Sequence, residues 1–203
     1  MEKHRSPILT LAAAAAAISI ALSFNTTAAA PIDFIRSSCN VTRYPDLCEK
    51  CLIGYTPAIR HRSPRQLAHA ALKVSADRAF AASNFVHKMS VGSKSSSTAR
   101  RTRDGGAVRD CVETIDDSVD RLRRSVKEME RMGRHGSISF GWHLSNVQTW
   151  VSAALTDQST CLDSLSQDKS AANVRPEIRR HVVHVSRLTS NALALINRLD
   201  PNN

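Results

Sequence analysis

Residues 150–165 read WVSAALTDQSTCLDSL, and the spacing of their apolar members decides the fold. Val151, Ala154, Leu155, Leu162 and Leu165 recur at three- and four-residue steps, which lines them along one side of an α-helix. Thr160, Cys161 and Asp163 interrupt that stripe, so a thiol sits among polar groups on an otherwise apolar side. The same period extends this helix back to about Phe140 and recurs elsewhere. A helix from about Ala107 to Met132 carries Cys111, Ile115, Val119, Leu122, Val126 and Met129, and Gly133 and Gly136 end it. Another, from about Pro176 to Leu199, carries Ile178, Val182, Val185, Leu188, Leu195 and Leu199 before Asp200-Pro201.

The first long helix opens at Ser63-Pro64-Arg65-Gln66, a capping-box arrangement with proline at the first helical position. Leu67, Ala71, Val74, Ala81 and Phe85 supply its expected apolar face, and the Gly/Ser-rich basic linker VGSKSSSTARRTRDGG follows. Upstream, FIRSSC and YPDLCEKCL read as two short helical pieces, with Tyr44-Pro45 setting the start of the second. Nothing reads as a β-sheet. The pattern predicts an all-α protein: an up-and-down four-helix bundle over 63–200, preceded by a helical hairpin over 31–60.

The chain has 203 residues, one domain's worth, of which only nine are aromatic, a composition that suits helix-on-helix packing. Residues 1–30 read as a signal peptide: Lys3, His4 and Arg5, then ILTLAAAAAAISIALSF, then the small-residue tract TTAAA. No second apolar run is long enough to span a membrane, so the expected product is secreted. The formal charge of +10 becomes +9 once the charged residues of the leader are removed. A basic surface of this size suits an acidic partner or a merely solvated face. With few aromatics beside Arg121, Arg123, Arg124 and Lys127, or beside Arg100, Arg101 and Arg103, nucleic acid is not expected.

Cys39, Cys48, Cys51, Cys111 and Cys161 enter an oxidising pathway, where five cysteines give two bridges and one free thiol. Cys111 lies near the start of one helix and Cys161 near the end of the next, so antiparallel packing brings them within reach of each other. Cys39 with Cys48 would staple the hairpin, although Cys51, one helical turn after Cys48, could compete for Cys39. Cys48-Glu-Lys-Cys51 lacks the βαβ setting of a redox motif and a second cysteine pair for zinc. No catalytic fingerprint is present: there is no G-x-S-x-G, H-E-x-x-H, P-loop or dinucleotide motif. His181 and His184 stand three residues apart on the last helix and read as surface or packing residues, and adjacent Asp116 and Asp117 diverge on a helix. Neither an enzyme, a cofactor nor a metal site is expected.

CNVTRYPDLC at 39–48, DCVETIDDSVDRL at 110–122, VQTWVSAALTDQSTCLDSL at 147–165 and LTSNALALIN at 188–197, in this order, resemble the plant invertase and pectin methylesterase inhibitors. The resemblance covers nearly all of residues 31–203. It implies disulfides 39–48 and 111–161, leaving Cys51 free, and an inhibitor that covers its target's pectin-binding cleft in a one-to-one complex. The positions it assigns to partner binding are Glu113, Thr160 and Asp163. Pectin methylesterase is the expected partner because no Pro-Lys occurs for the Pro-Lys-Phe-type motif of invertase inhibitors; acid invertase is the alternative. Weak binding to acidic pectin, location in the apoplast and glycosylation of Asn40, in the sequon Asn40-Val41-Thr42, complete the expectations.

Overall fold

A computed structural model of the chain describes residues 32–55, 62–92 and 106–200. The expected signal peptide and the linker arginines Arg100, Arg101 and Arg103 lie outside those residues. All regular structure among the described residues is helical. Helix α1 spans residues 32–39 and α2 spans Pro45–Leu52. The four long helices are α3 (Pro64–Gly92), α4 (Gly106–Arg131), α5 (Ile138–Gln167) and α6 (Arg175–Asn197). A short 3-10 turn at Lys169–Asn173 precedes α6. Each long helix packs on the next, and α6 closes the ring against α3. The edge formed by α3 and α6 therefore lies across the bundle from the edge formed by α4 and α5.

Buried positions recur at three- and four-residue steps, strictly so on α5. On α5 they are Phe140, Leu144, Val147, Val151, Ala154, Gln158, Cys161 and Leu165. Cys161 thus continues the apolar stripe instead of interrupting it, while Thr160 and Asp163 face solvent. Leu155 and Leu162 flank the stripe and are only half-buried. On α3 the structure corrects the expected face: Ala81 is exposed and Phe85 half-buried, whereas Ala79, Ala82 and Val86 are interior. Ser75 and Ser83 share that interior face, and in an alanine-rich run they hide its true register. Ser75 satisfies its hydroxyl on the Ala71 carbonyl at 2.9 Å.

A polar layer crosses the apolar interior. Gln158 Nε2 donates to Ser118 Oγ at 2.9 Å and to Thr189 Oγ1 at 3.2 Å, and all three residues are fully buried. Helix ends are satisfied by specific groups. Ser63 Oγ accepts from the Gln66 amide and Ser137 Oγ from the Phe140 amide, at 3.3 and 3.1 Å. At the C-terminal end of α4, Arg65 reaches across from the start of α3. Its guanidinium donates to the carbonyls of Met129 at 3.1 Å, Gly133 at 3.0 Å and Met132, placing a cation on the negative end of the helix. The chain then reverses into α5 through Gly136, whose φ of +82° is one that few other residues adopt.

The hairpin joins the bundle along the α3–α6 edge, where α2 packs against both helices. Ile35, Cys39, Cys48 and Leu52 enter the main core. Cys39 and Cys48 are bonded, with Cα atoms 5.6 Å apart, and Arg36 bridges to Glu49 at 3.0 Å. The docking point is Asn191 on α6, which is buried. Its Oδ1 accepts from the Tyr44 amide at 3.0 Å and its Nδ2 donates to the Tyr44 carbonyl at 2.8 Å. One side chain thus engages both backbone groups of the residue before Pro45: it supplies the acceptor that the Tyr44 amide lacks within the helix, and it shares the Tyr44 carbonyl with the Cys48 amide, which donates to it at 3.0 Å.

Candidate partner-binding face

Cys111 near the start of α4 and Cys161 near the end of α5 are bonded, with Cα atoms 4.0 Å apart and no exposed surface. Around them Val86, Val108, Ile115, Leu165, Ile178 and Val182 form a second apolar cluster, so the bridge is surrounded by all four helices. Residues two positions beyond each cysteine lie roughly 200° around their helices and must face outward. Glu113 and Asp163 are accordingly exposed.

Thr160 and Asp163 stand one turn apart on the outer face of α5 and belong to a single surface. Glu113 stands on the neighbouring helix, and no hydrogen bond or ion pair joins it to either residue among the described ones. Thr160 Oγ1 donates to the Thr156 carbonyl at 3.0 Å, which orients the hydroxyl without removing its capacity to accept. The outer face of α5 continues through the exposed Thr156, Ser152, Thr149 and Ser145 to Trp142, with Asp163 as the one charged side chain on it. Trp142 is 63% exposed and Ile138, one turn before it, 95%. Sequence reasoning missed this long hydroxyl face; its signal was serine or threonine recurring at three- and four-residue steps opposite the apolar stripe.

The flanks of the α4–α5 pair are tied by ionic contacts. Arg121 Nε donates to Asp157 at 2.7 Å, so Arg121 is not part of a free basic face as its neighbours are. Burial pushes the Asp157 carboxyl up, with Arg121 pulling the other way. Further along, Glu128 is buried and accepts from Asn146 Nδ2 at 2.8 Å, with His143 Nδ1 at 2.9 Å. The Asn146 hydrogen bond, joined by His143 and opposed by burial, holds Glu128 below the ordinary carboxylate range. Arg123 lies over the Phe80 ring, 4.4 Å from its centroid, whereas Arg124 and Lys127 are exposed.

The remaining candidates have packing explanations. His181 stacks on Phe85 with ring centroids 4.1 Å apart, and Asp116 accepts from Ser83 and pairs with His87. Among the described residues no three His, Cys, Asp or Glu side chains come together as metal ligands. Cys51 is the free thiol, half-buried; burial raises its thiol while Arg78 and Lys50 pull it down. Asn40 is exposed, and Thr42 of the same sequon is buried with its hydroxyl on the Cys39 carbonyl at 2.7 Å. No helix among the described residues is long and apolar enough to cross a membrane.

Residues 33–195 match the family described as plant invertase/pectin methylesterase inhibitor. The chain is 48% identical over 166 residues to "Pectinesterase inhibitor 9" of Arabidopsis thaliana, covering 81% of this chain and 79% of that one. It is 39% identical over 170 residues to a "21 kDa protein" of Daucus carota, covering 83% and 85%. Among solved structures, a mutant form of a pectin methylesterase inhibitor from Arabidopsis superposes with a TM-score of 0.59 at 22% identity, over 80% of this chain and 94% of that one. That last likeness concerns the fold.

Proposed function

This chain belongs to the plant invertase/pectin methylesterase inhibitor family, and from that premise we propose that it is a secreted inhibitor that blocks the pectin-binding cleft of a pectin methylesterase in a one-to-one complex. As a family member it is an inhibitor protein and not an enzyme. The observation that carries the choice of target is the 48% identity to a protein named pectinesterase inhibitor, extending over 166 residues. Support also comes from the absence of Pro-Lys in the sequence. The docking surface would be the outer face of the α4–α5 pair, with Thr160 and Asp163 on α5 and Glu113 beside them on α4. A rigid surface favours this use: the Cys111–Cys161 bond fixes the two helices, so little conformational freedom is lost on association.

The inhibitor would act by covering the cleft, with no chemistry of its own. Hydroxyl and carboxylate groups on a helix face supply acceptors for donors around a polysaccharide-binding cleft, and that complementarity would set specificity. Residues 1–30 would direct the chain to the apoplast, and residues 31–203 would form the functional domain, with a glycan at Asn40.

The test is a titration of purified, oxidised mature protein against a plant pectin methylesterase and an acid invertase. Stoichiometric loss of esterase activity, with invertase untouched, is the expected result. Thr160→Ala/Asp163→Ala should weaken inhibition by ten-fold or more while leaving the helical circular dichroism unchanged. Inhibition of invertase alone would reverse the target, and an undiminished double variant would remove the α5 face from the interface.

A further inference from the structure

The α3–α6 edge, across the bundle from the proposed enzyme-binding face, carries a concentration of unpaired cations. Arg43 and Arg187 both lie against the Tyr44 ring, with guanidinium carbons 5.8 and 5.4 Å from its centroid. Arg78 on α3 acts electrostatically on both Cys51 of α2 and His184 of α6, Lys50 acts on Cys51, and Arg187 acts on His184. Arg43, Lys50, Arg78 and Arg187 therefore occupy one region, contributed by the hairpin and two long helices. All four are exposed, and none joins an ion pair among the described residues.

Carboxylates nearby do not neutralise it. Glu49 is engaged by Arg36, while Asp46 in the first turn of α2 and Asp77 beside Arg78 make no ion pair with the four. No carboxylate is among the groups that bias Cys51 or His184. The patch is also held in shape: Asn191 grips the Tyr44 backbone from both sides, and the Tyr44 ring then sets the two arginines flanking it. Mutually repelling cations kept together on a pre-built platform have an electrostatic cost, which a polyanionic ligand would relieve.

We propose that this edge, built from Arg43, Lys50, Arg78 and Arg187 around Tyr44, is a binding site for the carboxylate-bearing uronate polymer that ester hydrolysis of pectin leaves behind. Guanidinium groups suit the carboxylates of such a chain because they can bind both oxygens at once. The identity of the polymer rests on the inhibitor reading above; the cationic site itself does not. Placed opposite the α4–α5 face, the site would hold the inhibitor on de-esterified wall while leaving its enzyme-binding surface open. Inhibitor would thus accumulate where the esterase has already worked.

The experiment measures retention of the mature protein on immobilised polygalacturonate and on its fully methyl-esterified counterpart. Wild type should bind the acidic polymer and not the ester, and moderate salt should release it. Arg78→Glu/Arg187→Glu should weaken binding at least ten-fold, as should Arg43→Glu/Lys50→Glu in the hairpin, which covers a folding failure of either pair. Arg124→Glu/Lys127→Glu on α4 makes the same change in net charge elsewhere and should lower affinity by less than two-fold. Equal retention on the ester, equal loss in the α4 variant, or undiminished binding in both edge variants would each overturn the proposal. Esterase inhibition measured in parallel separates the two readings. Edge variants that still inhibit stoichiometrically, having lost polymer binding, support this site. A wild type that inhibits but does not bind the polymer refutes it while leaving the inhibitor reading intact.

Discussion

Replacing Asn191 should release the hairpin while leaving the bundle folded. Its carboxamide makes two hydrogen bonds to the Tyr44 backbone, at 3.0 and 2.8 Å, from a side chain only 2% exposed. Each such bond contributes about 0.5–1.5 kcal/mol net, and a buried group left unpaired costs about 1–3 kcal/mol. Tyr44 is half-buried and its carbonyl keeps the hydrogen bond from the Cys48 amide, so part of that loss is recovered. For Asn191→Ala we expect about 2–3 kcal/mol lost from hairpin docking, an increase of about 30- to 140-fold in the opening equilibrium. Hydrogen exchange of the α2 amides reads this opening directly, and labelling of the Cys51 thiol provides a second probe. Asn191→Asp keeps the acceptor for the Tyr44 amide but faces its carbonyl with a second oxygen, so it should be no better than alanine at holding that carbonyl. The helical signal and the exchange of α4 and α5 amides should be nearly unchanged. Protection of α2 within three-fold of wild type in a folded Asn191→Ala protein would refute the clamp, and with it the claim that Asn191 organises the cationic edge.

The two disulfides should differ in value because their loops differ, at separations of 50 and 9 residues. Chain entropy gives about 4 kcal/mol for the Cys111–Cys161 bond and about 2.5 kcal/mol for Cys39–Cys48. Urea midpoints of the paired alanine variants should fall in that order, and a larger loss from the hairpin bond would contradict the loop argument. For Glu128 the sign follows from its lowered carboxyl: its contribution is complete above the unfolded value of 4.5 and is lost as pH falls through the lower folded value. Glu128→Gln should therefore cost most at neutral pH and least in acid. A stability difference from wild type that stays flat between pH 7 and 3 would show that Glu128 has no such linkage.

The features legible in the sequence were those that repeat. Three- and four-residue steps set the four long helices, and proline and serine marked the starts of α2 and α3, because burial and capping act on residues close together in the chain. The register of α3 was harder, since alanine contributes too little area to separate one face from another, and the interior serines blur what contrast remains. Residues that hold separate segments together left weaker traces. Arg65 capping the end of α4 joins residues 64–68 positions apart, and Asn191 gripping Tyr44 spans 147. Nothing in either local sequence states the partner. Asn191 did carry a partial signal: an amide at a core position between Leu188 and Leu195 must find partners within the interior or be excluded from it. Gln158 presents the same sign on α5, where it meets Ser118 and Thr189. A polar residue on a buried three-four stripe marks where helices or segments are keyed to one another, and in this chain two such marks locate the mid-bundle layer and the hairpin dock. The exposed faces obey no comparable rule, because solvent accepts almost any polar side chain. The hydroxyl face of α5 and the cations of the α3–α6 edge became sites only when the fold showed which residues share a surface.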